Sequence, residues 1–297
     1  MKKRLKTWID KIPNLLWLLP SVSDKPENNI VVTVSGGRSS MFQALALKFR
    51  YPWKNLIFIF ANTGKEHEKT LEFIDKCDKF WGLGIIWVEA LVHYKKGKGT
   101  EYIITNFENA KRNGEPFLEV ILKYGLPSKL WRHCIRELKT KPINKLADDL
   151  FGIGNYVKAI GIRKDEPHRL TPKKGIFYPL AELGVTKNFI LDWWARQEFD
   201  LEVNEEEGNC DLCFLKSKRK RMTVLKNNPE RWTWWLDIEE VYSTERQPMF
   251  DVRNELTIAE LIELSKTDFI EFKADEIQEN NFDLDLDIEF SCMCANT

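Results

Sequence analysis

Cysteine is scarce in this sequence: six in 297 residues. That is too few for a disulfide-stapled mini-domain. In an intracellular chain such cysteines bind metal, do redox chemistry or pack in the core. Net charge is missing altogether, since 45 Lys and Arg offset 45 Asp and Glu. A surface basic throughout is thereby excluded, while local basic patches are not. Long apolar runs are missing as well. Near the N-terminus, Leu15 to Leu19 is an apolar run of five residues, interrupted on its flanks by Asp10, Lys11, Pro13 and Pro20. A secretory signal needs roughly 7–15 apolar residues and a membrane helix roughly 20. The expectation is a cytoplasmic protein with no membrane partner, its first residues forming a short amphipathic helix packed on the body or on a partner. Neither a G-x-x-x-x-G-K-[ST] loop nor a complete G-x-G-x-x-G is present, which argues against P-loop NTPases and Rossmann dehydrogenases. There is no internal repeat and no low-complexity linker.

What is there suffices for a large core: 43% apolar and 30% charged residues over a length suited to one large or two smaller domains. Buried-strand patterns cover 30–34, 56–60, 84–89 and 156–160, with helical patterns at 41–49, 66–80 and 144–151. Strands alternating with helices predict an α/β fold, a parallel twisted sheet flanked by helices. Binding sites in such sheets lie beyond the carboxyl ends of the strands. From about residue 179 the texture turns helical, with a helix expected from the Thr186 cap to Phe199 and others over 229–242 and 257–266. This predicts an N-terminal helical segment 1–29, a nucleotide-binding α/β domain 30–200, and an α-rich, cysteine-containing C-terminal region 201–297.

The sharpest local signal is Ser35-Gly36-Gly37-Arg38-Ser39-Ser40, between a buried strand and a helix. Paired glycines let successive backbone N–H groups aim into one concavity, and the helix adds its positive end. The natural ligand is an anion such as a phosphate. Cys210-Asp211-Leu212-Cys213 forms a C-x-x-C, able to chelate metal or form a redox disulfide. Cys77 lies on an apolar helical pattern and reads as core. Trp232, Trp234 and Trp235 could stack bases, but their spacing reads first as packing. The basic run 216–221 is by default a solvated helix face, and alternatively a guide for a polyanion.

Five segments in order, SGGRSS (35–40), FANTGKEHEKT (60–70), WRHCIRELKTKP (131–142), IGIRKDEPHR (160–169) and NCDLC (209–213), resemble the PP-loop adenine-nucleotide α-hydrolases. They look most like the phosphoadenosine-phosphosulfate (PAPS) reductase branch, in its phage or accessory form. The resemblance implies an adenine nucleotide (PAPS, adenylylsulfate (APS) or ATP) with its phosphates on Ser35, Gly36, Gly37, Arg38, Ser39 and Ser40. It places Asn62, Thr63 and Gly64 beside the adenosine, and Arg163 and Arg169 on the terminal phosphate or sulfate. The forked guanidinium suits such oxyanions. ATP-cleaving members usually carry Asp where Ser39 stands, so Mg²⁺ enters only with ATP, and Ser39 tilts the reading toward sulfonucleotides.

The same resemblance sets Cys134 and Lys139 in a C-x-x-x-x-K-x-x-P context like that of cluster-containing reductases. There Cys134, Cys210 and Cys213 would be ligands of a [4Fe–4S] cluster, with Cys292 or Cys294 as fourth ligand or an open iron. Zinc and a cluster-free redox pair remain alternatives. Cys292 and Cys294 are equally candidates for the tail nucleophile of sulfonucleotide reduction, with Lys139 and Arg163 as catalytic cations. Thioredoxin or another thiol would be the reductant, and assembly into a homo-oligomer is open. The first functional expectation is a PAPS/APS-reductase-type oxidoreductase. The alternatives are an ATP-dependent, iron–sulfur-dependent sulfurtransferase acting on DNA or tRNA, reached through 216–221, and a nucleotide-binding regulator without turnover.

Overall fold

The computed structural model describes residues 28–273 except 53, 209 and 252–255. The N-terminal helical segment expected at 1–29 therefore lies almost wholly outside the described residues, as do the tail cysteines Cys292 and Cys294. Six strands form one sheet in the order β4-β3-β2-β1-β5-β6. They are β1 Asn29–Val34, β2 Asn55–Asn62, β3 Ile85–Val92, β4 Thr100–Thr105, β5 Val157–Ala159 and β6 Ile176–Phe177. Pairing is parallel except at one edge, where β4 runs antiparallel to β3. The sheet is thus mostly parallel and flanked by helices, as the sequence predicts, with one antiparallel edge strand.

The two-residue period of the central strands explains why helices cover both faces. Ile30, Val32 and Val34 of β1 and Phe58 and Phe60 of β2 pack into one apolar cluster. Val31, Ile59 and Ala61 point the other way into a second. Helices α1 (Arg38–Arg50) and α2 (Glu68–Trp81) cover the first face, and α4 (Lys141–Phe151) the second. A third helix, α3 (Glu115–Tyr124), belongs instead to a separate cluster with the C-terminal helices. The short turn His133–Ile135 and a π-helical segment, Arg136–Thr140, lead directly into α4.

Helix α5 spans Lys187–Trp194, capped by the Thr186 hydroxyl, which accepts from the Phe189 N–H. The sequence predicts it to run to Phe199. It stops early because Arg196 and Gln197 bond back to the carbonyls of Trp193 and Trp194, while the Gln197 amide also donates to the Trp193 carbonyl at 2.6 Å. The C-terminal helices are α6 (Lys218–Asn227), α7 (Thr233–Tyr242) and α8 (Ile258–Ser265). Trp235 is buried among them, and Trp232 and Trp234 pack against the same cluster, so these indoles serve the core. Cys77 is fully buried as expected, and burial raises its pKa. No helix among the described residues is long and apolar enough to cross a membrane.

Candidate functional site

Three loops that follow parallel strands meet at one sheet edge: 35–37 after β1, 63–67 after β2, and the loop after β5. A cavity of about 230 Å³ opens between the first and third of these loops. Its floor is the Ser35–Ser40 loop; Arg163, Glu166 and Arg169 form one wall, Lys187 and Glu205 another. Gly36 adopts φ +82°, and a Cβ there would stand 2.4 Å from Thr70 Cγ2, so the tight turn requires glycine. The loop is laced internally. Ser40 Oγ donates to the Gly37 carbonyl at 2.9 Å and accepts from the Ser35 N–H and Ser35 Oγ, each at 3.1 Å. The hydroxyl protons of Ser35 and Ser40 are thereby committed, which leaves backbone N–H groups and the Ser39 hydroxyl as donors of the loop. The first N–H groups of any α-helix have no intrahelical acceptor, and α1 starts at Arg38.

The two arginines that the motifs predict near the anion both line the cavity. Arg163 Nη1 donates to Ser39 Oγ at 3.3 Å and Nε bonds Asp165 at 2.9 Å, so this side chain stands at the loop. Arg169 lies on the same wall in an ion pair with Glu166. Arg38 is turned aside: Nε bonds Asp200 at 2.7 Å and Nη2 the Leu201 carbonyl at 2.6 Å. Its side chain ties α1 to the chain after α5.

Lys187 is a cation the sequence analysis passed over. Its ammonium meets Glu205 at 2.6 Å, and its N–H donates to Asp165 at 3.0 Å. Glu205 also pairs with Lys220 at 3.3 Å. Burial opposes ionisation of Glu205, but these two lysines hold its pKa below the usual value. The signal available for Lys187 was its place directly after the Thr186 cap.

Asn62, Thr63 and Gly64 do not line this cavity. Asn62 is fully buried; its amide donates to Glu89 at 2.7 Å and to the Lys111 carbonyl at 2.8 Å, while its oxygen accepts from the Gly64 N–H. The loop they begin faces the cysteines. Glu66 and Cys210 form an antiparallel bridge, and the Asp211 N–H donates to the Lys65 carbonyl at 3.0 Å. Lys65 also pairs with the Asp211 carboxylate at 3.2 Å. Lys139, a candidate catalytic cation, stands 3.5 Å from Glu66 and away from the cavity.

Cys134, Cys210 and Cys213 are buried in one apolar cluster, the donor chemistry that an iron–sulfur centre requires. Among the described residues, however, no group of three or more His, Cys, Asp or Glu could hold a metal ion. The described residues alone thus do not form a ligand set for a cluster. Cys210 and Cys213 sit at the ends of one turn, Cys213 N–H bonding the Cys210 carbonyl at 3.3 Å. Beyond it, Lys216 donates to the Asp211 carbonyl at 2.7 Å, and burial lowers its pKa against the opposing pull of Cys213, Asp211 and Cys210.

The basic run 216–221 is not the solvated face the sequence predicts. Lys220 and Arg221 are buried, one paired with Glu205 and the other with Asp251 across 30 residues of chain. Two of the five basic residues of that run are therefore inside the protein.

A family model described as phosphoadenosine phosphosulfate reductase domain matches residues 29–113, the stretch that holds β1, the glycine loop and β2. A nin region protein of Escherichia phage lambda, ORF290, is 38% identical over 195 residues, covering 64% of this chain and 67% of that protein. The chain belongs to the PAPS reductase domain family. It is a phage-type member, and an adenine-nucleotide site tied to sulfur chemistry is the property the family carries. A protein of Methanocaldococcus jannaschii is 24% identical over 243 residues, 77% of this chain, which spans 45% of that longer relative. Among solved structures, the U34-tRNA thiolase NcsA from Methanococcus maripaludis with its [4Fe-4S] cluster superposes at TM-score 0.40 and 16% identity, covering 86% of this chain and 88% of that one.

Proposed function

We propose that this PAPS reductase family member binds an adenine sulfonucleotide on the Ser35–Ser40 loop and reduces it with cysteine thiols. The observation that carries the reading is the Glu66–Cys210 bridge. It seats the C-x-x-C against the loop after β2, beside the strand that ends in the glycine loop. Nucleotide and thiol chemistry thus share one sheet edge.

In this reading, backbone N–H groups at the start of α1 and the Arg163 fork hold the phosphosulfate oxyanions. Ser39 supports a sulfonucleotide over Mg–ATP, because a neutral hydroxyl under the Arg163 guanidinium occupies the position where a metal-ligating carboxylate would stand. A cysteine thiolate attacks the sulfonate sulfur; the S–S bond forms as the S–O bond to the nucleotide phosphate breaks, and the electron pair leaves with the phosphate. A second thiolate then displaces sulfite and leaves a disulfide, which an external dithiol such as thioredoxin reduces. Cys292 or Cys294 is the proposed nucleophile, and the buried C-x-x-C is a second dithiol at the same edge.

The test is sulfite release from PAPS and from APS with dithiothreitol, alongside calorimetric nucleotide binding. Turnover lost in Cys292→Ser or Cys294→Ser with binding retained is the expected result. Nucleotide binding without sulfite from either substrate refutes the reductase reading.

A further inference from the structure

The loop after β2 holds a chain of buried polar groups that ends on a cysteine. Glu66 Oε2 accepts from the Thr63 N–H at 2.9 Å and from the Thr63 hydroxyl at 2.8 Å. Glu66 Oε1 has no hydrogen-bond partner and lies 3.5 Å from the Lys139 ammonium. Thr63 Oγ1 is 3.5 Å from Cys210 Sγ, and the Lys65 N–H donates to the same oxygen at 3.3 Å. Thr63 is 1% exposed, Glu66 8% and Cys210 4%, so the chain is screened from water.

Donor counting fixes the direction of the contact with sulfur. A hydroxyl has one proton and two acceptor sites. Thr63 gives its proton to Glu66 and accepts from Lys65, so one lone-pair site remains, and Cys210 S–H is its donor. We propose that Thr63 is a positioning residue for Cys210, locked by Glu66, which itself faces Lys139. Its hydroxyl fixes the orientation of the Cys210 thiol from the loop that follows β2. The functional meaning rests on Cys210 taking part in the sulfur chemistry proposed above; the hydrogen bond does not. Buried thiols elsewhere behave as small apolar groups, and Cys77 on α2 is one within the same chain.

Raman spectroscopy of the S–H stretch reads this directly. The full-length chain is freed of metal by chelation, checked by iron and zinc analysis, and the Cys210 band is assigned by difference with Cys210→Ser. The wild-type band lies at lower wavenumber than that of Cys77, as expected for a donating thiol. In Thr63→Val it moves up to the free-thiol position; in Thr63→Ser, which keeps the hydroxyl, it stays down. Glu66→Gln, which keeps the side-chain shape, shifts it part of the way by loosening the lock. A wild-type band already at the free-thiol position overturns the proposal. So does a band unmoved in Thr63→Val, or one moved equally in Thr63→Ser, which would assign the effect to packing. In the sulfite assay Thr63→Val lowers kcat about fivefold, the worth of one neutral hydrogen bond. The nucleotide KM holds and Thr63→Ser restores kcat. If neither substrate yields sulfite, the reductase reading fails while the Raman result still decides the position of Thr63.

Discussion

Replacing Gly36 by alanine tests the glycine loop as a built anion cradle. At φ +82° a Cβ costs roughly 1–2 kcal/mol in backbone strain. The same Cβ would stand 2.4 Å from Thr70 Cγ2 and 2.9 Å from Ile74 Cδ1, both on the first turns of α2. Neither atom is the end of a long flexible side chain, so overpacking adds about 1–3 kcal/mol. The expected loss is about 2–5 kcal/mol of stability, a large share of what a domain usually has. If the loop moves instead of unfolding, its N–H groups lose their common aim and nucleotide affinity falls at least about tenfold. The neighbour is an internal control. Gly37 has φ −81°, caps α1, and a Cβ there meets only Ser35 Oγ at 3.8 Å. Gly37→Ser should therefore stay within about 0.5 kcal/mol of wild type. Urea denaturation gives the stabilities and calorimetry with PAPS the affinities. Equal midpoints and affinities for the Gly36→Ala and Gly37→Ser proteins would refute the reasoning.

Arg163→Ala should weaken nucleotide binding about tenfold with little change in stability, whereas Arg38→Ala should cost about 1 kcal/mol of stability and leave affinity near wild type; calorimetry and urea curves separate the two. Arg221→Ala removes the buried guanidinium that pairs with Asp251 and should cost about 3–5 kcal/mol, while Arg221→Met with Asp251→Leu recovers most of it in the same denaturation assay. His67 caps α2 by accepting from the Lys69 N–H at 2.9 Å, which needs a neutral imidazole. Burial first, and then the Arg231 charge, lower its pKa from 6.5. A lowered folded value means the unfolded chain binds the proton more readily. The His67 contribution is therefore complete above pH 6.5 and is lost as pH falls through the folded value. His67→Asn keeps the cap and should flatten that part of the stability–pH curve; an unchanged slope would remove His67 as its source.

The glycine loop could be read from sequence because its signal is local: a β-branched strand, two glycines and a helix in unbroken succession. The same holds for the C-x-x-C turn and the core role of Cys77. Strands β4 and β6 escaped because Thr100–Thr105 is an edge strand in which only Thr100 is buried, and Ile176–Phe177 has only two residues. The basic run was misread for a different reason. Charge spacing cannot show that Arg221 finds Asp251 or that Lys220 finds Glu205, since both pairings are tertiary. Arg38 likewise sits inside the most specific motif, yet Asp200 takes its guanidinium. Glu66 lay in a quoted motif and went unassigned, because its importance is visible only once Cys210 is beside it.

The π-helical segment 136–140 has a consequence for how the site could be retuned. An α-helix turns about 100° per residue, and a π segment carries one residue more than the α-helical spacing would need. Upstream stands Cys134; downstream runs α4, anchored on the sheet by Ile143, Leu146 and Ala147. Deleting a single residue from 136–140 would let the stretch relax to α-helix and swing Cys134 roughly a quarter-turn about an axis that α4 holds still. Length in that segment thus acts as a dial on where the upstream thiol points, set by residue count and not by side-chain chemistry.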